Sequence, residues 1–426
     1  MKRCSHHLIA AVATAVAIAA PASAQQSVEL PAKDVALRDR PADVYSVGTV
    51  EGRDWEMFSD IRSLAFDRDD NLYVLDGQNY RVVVFDRSGR YVRQFGKQGG
   101  GPGELQAPFG LAITPDQHVV VSDPMNRAFI LFTREGEHVR NVPFDDEVGF
   151  PSRMLSVDGG DVVFHSLGRI GPNQPPQEGE RTTLIARQSL AEGEPEATTL
   201  YRMPAPPAQR IDAGGSGNVR RVAMVSMQPA FSAMSTFGVT PAGVAVHHET
   251  EYRIRLFDRS GRQVRELVRD YPLRKVTQRD KEAWQERRER AEAEGGGGAR
   301  IAVSVGPGGT SFSTGRGAPP AAGREVLRMS LENTPFAEYM SVVTGIRTDP
   351  MGRIWVQRRH EDGSERGPID LVTADGRYIG TLPPQPLPDA VSASGLAAWR
   401  ETDELGVEKV VVRRLPASWQ AARSAR

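Results

Sequence analysis

Between Ile61 and Pro143 short apolar runs alternate with turns of Asp, Asn, Gly and Ser, and the whole pattern is written twice. Residues 61–67, 71–76, 81–86 and 90–95 are rich in Val, Leu, Ile, Phe and Tyr, too short for helices and closed by turn residues, which predicts β-strands. Leu64-Ala65-Phe66-Asp67, a run ending in Asp76, and Phe85-Asp86-Arg87-Ser88-Gly89-Arg90 return as Leu111-Ala112-Ile113-Thr114, a run ending in Asp123, and Phe132-Thr133-Arg134-Glu135-Gly136-Glu137. The offset is 47 residues each time: 111 against 64, 123 against 76, 132 against 85. A fixed period of that size marks stacked supersecondary units, none able to bury both apolar faces alone.

Four antiparallel strands per repeat make a propeller blade. The hexapeptide FDRSGR at Phe85 recurs unchanged at Phe257 to Arg262, and VTADGR stands at Val372 to Arg377, with Gly where a hairpin needs positive φ. Counting on this basis gives blades at 61–96, 108–143, about 151–202, 235–268, 342–382 and 390–415. The sixth supplies only about three strands, and the isolated run at Val44 to Gly52 is expected to complete it, so that no sheet edge is left open. The predicted fold is all-β, a six-bladed β-propeller of four-stranded antiparallel blades closed by an N-terminal strand, over residues 43–419.

Other stretches fall outside the repeat. Residues 1–24 combine Lys2 and Arg3, an apolar core from Leu8 to Ala20 and a small-residue Ala22-Ser23-Ala24 site, the pattern of a secretory signal peptide. An exported protein, periplasmic or extracellular, is expected, with no transmembrane segment after it. Residues 25–42 are polar and read as a flexible lead-in, and 420–426 as a tail. The insertion at 274–335 holds a charged helix at Asp280 to Glu294, in which Trp284 is the only large apolar residue, then a Gly- and Pro-rich run expected to be disordered. A second irregular stretch, Ile211 to Met234, is expected to cross between blades. Cys4 lies within the leader, so the mature chain offers no disulfide, thiol nucleophile or thiolate metal ligand. Without Lys2 and Arg3 there are 51 basic and 54 acidic residues, a net of −3, which does not favour a nucleic-acid partner.

The residues resemble the NHL-repeat and related six-bladed propellers in their secreted bacterial form. The resemblance rests on DRDDNLYVLDGQNYRVVVFDRSGRYVRQFG, on FGKQGGGPGELQAPFGLA at Phe95 to Ala112, and on DELGVEKVVVRRL at Asp403 to Leu415. Relatives of this fold include binding modules, a lyase that uses zinc and lactonases that hold a divalent ion on carboxylates, so the resemblance implies the fold and leaves the function open.

Aligned blades place Asp76, Asp123, Ser166, His248 and Arg358 at the ends of second strands, where they could form a polar rim around the channel mouth. Asp76, Asn79, Asp123, Asn126 and Arg127 could equally serve only their own turns. Lys97 and its Gly-rich loop invite comparison with a phosphate cradle, yet the spacing is not that of a P-loop and no helix follows. His247 and His248 are adjacent and point to opposite faces of a strand, so a metal at His248 would have to recruit His165 or carboxylates across the channel. There is no GxSxG elbow. The expected function is a non-enzymatic binding module for a protein, peptide or envelope saccharide, a monomer without cofactor, meeting its ligand on Asp76, Asn79, Lys97, Asp123, Asn126, Arg127, His248 and Arg358. The alternative is a lyase or lactonase with a divalent metal such as zinc or calcium at the channel mouth, for which His165 and His248 are weak ligand candidates.

Overall fold

The two written-out repeats fold into the first two of six radial sheets in the computed structural model, which describes residues 26–149, 151–166, 182–204, 208–212, 222–226, 228–293, 300–306, 309–315, 334–403 and 406–419. Blade one is Ile61–Phe66, Leu72–Asp76, Arg81–Phe85 and Tyr91–Phe95; blade two is Gly110–Ile113, Val119–Asp123, Ala128–Phe132 and His138–Pro143. Blade three, Pro151–Asp158, Asp161–Ser166, Thr182–Gln188 and Ala197–Pro204, is a regular four-stranded sheet whose register shifts at three places. Blade four is Thr236–Thr240, Gly243–His247, Arg253–Phe257 and Gln263–Arg269, and blade five is Val343–Thr348, Arg353–Arg358, Ile369–Thr373 and Tyr378–Leu382. Blade six takes Ala390–Val391, Leu396–Thr402 and Glu408–Arg414 from the C-terminal end, and its outer strand is Ala42–Val47, paired antiparallel with Glu408–Arg414.

Why the middle strands read as unbroken apolar runs follows from side-chain alternation. Successive residues of a strand point to opposite faces, and in a ring of radial sheets both faces are covered by a neighbour. Leu72 and Val74 therefore enter the core shared with blade six, while Tyr73 and Leu75 enter the core shared with blade two. Six such clusters fill the six gaps between neighbouring blades. First strands stand innermost, those of blade one lying beside blades two and six. One face carries the strand 1–2 and 3–4 turns; the other carries the 2–3 loops and the connections between blades.

Two expectations need correction. Residues 26–30 are no flexible lead-in: they form a fifth strand on blade four, parallel to Gln263–Arg269, and Leu37 donates its N–H to the Thr381 carbonyl of blade five at 2.9 Å. The segment is polar because its outward face meets water, yet Val28 and Leu30 pack into the core between blades four and five. The insertion is likewise anchored. Its helix, Gln278–Ala293, turns Trp284 edge-on to Phe336 at 5.5 Å, in a cluster with Ala230, Phe231 and Met340. Within the run expected to be disordered, Arg300–Gly306 and Gly309–Gly315 pair as a hairpin; residues 316–333 lie outside the described residues. A second hairpin, Ala208–Asp212 with Val222–Ser226, occupies the stretch between blades three and four. The leader at 1–24 and the tail at 420–426 also lie outside the described residues.

Candidate functional site

Asp76 and Asp123 close the second strands of blades one and two, and their carboxylates are spent on the loops around them. Asp76 accepts from the Ser59 and Asp60 N–H groups at 3.3 and 3.2 Å, from Asn79 Nδ2 at 2.8 Å and from the Arg81 guanidinium at 3.2 Å. Asp123 accepts from the backbone of Gln106 at 2.7 Å and of Ala107, Met125 and Asn126 at 3.1 Å each. Each aspartate thus ties the incoming connection to the 2–3 loop of its own blade, and both are fully buried. Asn79 donates on to Ser59 Oγ at 3.1 Å and Asn126 to the Glu104 carbonyl at 3.1 Å, extending the same brace. Arg127, exposed and at φ 52°, pairs with Asp146.

The Gly-rich loop holds its own anion. Glu104 accepts the Gly101 N–H at 2.9 Å and faces Lys97 Nζ at 3.0 Å, and a Cβ on Gly99 would stand 2.0 Å from its carboxylate. Gly99 and Gly101 leave room for this side chain to fold back under the loop. Its pKa is held below the usual range, first by the Gly101 N–H and then by Lys97.

The remaining candidates separate into different interfaces. His165, on the second strand of blade three, lies over Phe237 with ring centroids 6.4 Å apart, and burial pushes its pKa down to about 4. His247 is fully buried, its Nδ1–H donating to the Arg253 carbonyl at 2.9 Å, and burial likewise takes it down to about 4. His248 stands against Tyr201 of blade three, ring centroids 5.4 Å apart, its pKa lowered by burial and then by Arg255. Ser166 donates to the Val148 carbonyl. Arg358 does not face the channel mouth: it runs between blades four and five to Asp34 at 2.6 Å and Asp370 at 3.4 Å. Arg269 meets the same two carboxylates at 2.7 Å each. This network of two cations and two anions clamps the N-terminal segment across the two blades. Burial opposes the charge on Asp34, but Arg358 and Arg269 outweigh it and hold its carboxyl below the usual range. Asp76, Asp123, Ser166 and Arg358 do close their second strands, with His247 rather than His248 in blade four, but these side chains are engaged within and between blades. Among the described residues no three His, Cys, Asp or Glu side chains stand close enough to share a metal ion.

A hollow does exist at the other end of the channel. A cavity of about 360 Å³ opens among the turn ends of the first strands of blades one, two, four, five and six, lined by Ala65, Ala112, Gly238, Arg347, Asp389 and Ala390 among others. Arg347 was not singled out by sequence, although the repeat marks it. Two residues before the first turn, blades one, two, four and six carry Ala65, Ala112, Gly238 and Ala390, and blade five carries Arg347. Small residues at this height leave room around the axis, and the arginine is the exception.

Comparison with known proteins agrees with the architecture. Residues 49–177 match a family described as a 6-bladed beta-propeller. A stretch of 39 residues is 51% identical to RING finger protein nhl-1 of Caenorhabditis elegans, covering 9% of this chain and only 4% of that protein. Among solved structures, a protein of Bacteroides fragilis aligns at 10% identity and a TM-score of 0.45, over 92% of this chain and 99% of its own. A gluconolactonase of Xanthomonas campestris aligns at 10% identity and a TM-score of 0.36, over 88% and 87%. Likenesses at this level say nothing of what this chain binds. The repeat and the six sheets make the chain an NHL-like six-bladed β-propeller.

Proposed function

We propose that this chain is an exported binding module that meets a protein, peptide or envelope saccharide on its loop face above blades three to five. The observation that supports this reading is where the extra chain goes and how it is held. The connections between blades three and four and between blades four and five both leave from the loop face, and there they are joined: Ala230 N–H donates to the Pro335 carbonyl at 2.7 Å, Ala337 N–H to the Ala230 carbonyl at 3.0 Å, and Ser341 N–H to the Phe231 carbonyl at 2.8 Å. Phe231, Met340, Phe336 and Trp284 then form a small core of their own above the ring. Long loops fixed on a rigid scaffold are where binding surfaces are usually built.

The test is to replace residues 278–333 with a short Gly/Ser linker and compare the two proteins on isolated envelope saccharide and envelope protein fractions. The expected result is a ring that melts within a few degrees of the parent and has lost its binding. Equal binding by both proteins, or turnover of a lactone by the zinc- or calcium-loaded parent, would overturn the reading.

A further inference from the structure

Among the described residues, the four fully buried arginines come with carboxylates. Arg81 has Asp76, Arg269 has Asp370 and Asp34, Arg353 has Asp349 at 2.5 Å, and Arg358 has Asp34. Arg347, half-buried on the cavity wall, has no carboxylate within pairing distance among the described residues. Its one hydrogen bond there is from an Nη1 donor to the adjacent Ile346 carbonyl at 3.1 Å, and its Nε–H is buried without a partner. The nearest carboxylate along the cavity wall, Asp389, already belongs to Arg400, which reaches it at 2.8 and 3.0 Å while the Arg400 N–H adds a third bond at 2.9 Å. Asp349, the other carboxylate of the lining, is consumed by Arg353 and by Trp355 Nε1 at 2.8 Å. Those pairs leave Arg347 as the charged group of the described lining that has no charged partner of its own, with Asp389 acting on it only from beyond pairing distance.

A guanidinium stays protonated in a protein and offers five N–H donors in a planar fork. Taking it out of water without a counter-charge is costly, and burial does pull the Arg347 pKa below its ordinary value. The hollow beside it is far larger than a water molecule needs, and Thr348 lines it too. We infer that the turn end of the central channel is a site for a small oxyanion, a carboxylate or a phosphate, held by the Arg347 fork. The site lies at the opposite end of the channel from the loop face and does not depend on what that face binds. The small residues Ala65, Ala112, Gly238 and Ala390 supply the volume, and Arg347 supplies the charge.

The experiment is a thermal melt of the full mature chain in sodium acetate or sodium phosphate against sodium chloride at matched ionic strength. Either oxyanion should raise the melting temperature saturably, by about 2 °C at ten times its Kd, and Arg347→Gln should abolish the rise. A response to acetate alone marks a carboxylate site and a response to phosphate alone a phosphate site; both support the inference. No saturable rise with either salt, or the same rise in Arg347→Gln, overturns it. Should that variant fail to fold, Ala390→Glu leaves Arg347 in place and puts a carboxylate into the hollow. It should melt higher than the parent and ignore both salts, and an unchanged response to them sinks the idea.

Discussion

At the scale of single residues, the polar groups of this ring are distinguished by what burial has done to them. His247 is fully enclosed at the end of a strand in blade four, with its pKa near 4 against an ordinary value of 6.5. A histidine lowered in this way is neutral in the folded protein while the unfolded chain takes up a proton, so between those two values the unfolded state binds more protons. Stability is then complete above pH 6.5 and is lost as the pH falls towards 4. At 1.36 kcal/mol per pKa unit the loss is roughly 3 kcal/mol for this one side chain. Urea midpoints at pH 7 and pH 4.5 should therefore lie much closer together in His247→Gln than in the parent, and an unaltered gap would show that the acid sensitivity comes from elsewhere. The sequence put His248 at the end of the second strand of blade four, but the strand ends at His247, which takes the position Asp76 holds in blade one, and His248 lies just past it. That the one would be sealed in while the other leans on Tyr201 of the next blade depends on packing between blades, which no local pattern encodes. Asp76 and Asp123 were visible as equivalents through the 47-residue offset, yet whether such a carboxylate faces a ligand or its own loop is decided by the Ser59-Asp60 and Gln106-Ala107 amides that arrive from the preceding connection.

At the scale of elements, the 3–4 turns show two constraints meeting on one glycine. Gly89 and Gly376 hold φ near +81° and +92°, which the turn requires and which the hexapeptide pattern displays. The second constraint is the neighbour. A Cβ on Gly376 would stand 2.5 Å from Val28, and one on Gly89 2.6 Å from the Tyr45 ring. Gly136 and Gly261 stand in the same relation to Phe95 and Leu200, each on the outer strand of the preceding blade. Val28 takes that part for blade five because Gln26–Leu30 is the outermost strand of blade four. The sequence hid this strand: five polar-leaning residues with no repeat partner look like a tail, and only the parallel pairing to Gln263–Arg269 and the Asp34 clamp give them a place. Gly376→Ala should push the strand off its edge, raising amide exchange in Gln26–Leu30 and Gln263–Arg269 at least tenfold while leaving blades one and two as protected as before. If exchange rises only at the turn itself, the cost is the strained φ and the strand does not rest on the glycine.

At the scale of the molecule, a ring of like blades has one place where continuity is not given by the chain, and the arrangement of N-terminal strands bears on it. Ala42–Val47 pairs with Glu408–Arg414, Arg413 reaches Asp43 at 2.7 Å, and Tyr45 covers the Gly89 turn of blade one. The same junction is braced from within, since Glu408 accepts the Ile61 N–H at 2.7 Å and Arg400 donates to the Ile61 carbonyl at 2.9 Å. The strand before it, Gln26–Leu30, lies across the ring on blade four and only adds to a complete sheet. Two truncations of the chain separate these roles. Starting at residue 41 removes the added strand and the Asp34 clamp, and should lower the melting temperature while keeping one cooperative transition and the parent's elution volume on gel filtration. Starting at residue 49 also removes Ala42–Val47, which exposes the edge of Glu408–Arg414 and strips Val47 and Tyr45 from the core between blades six and one. An open edge of that kind invites pairing between chains, so this protein should aggregate or lose cooperativity. If it melts as sharply as the chain starting at residue 41, the contacts at Ile61 and Glu408 hold the ring by themselves, and the outer strand is a covering rather than a clasp.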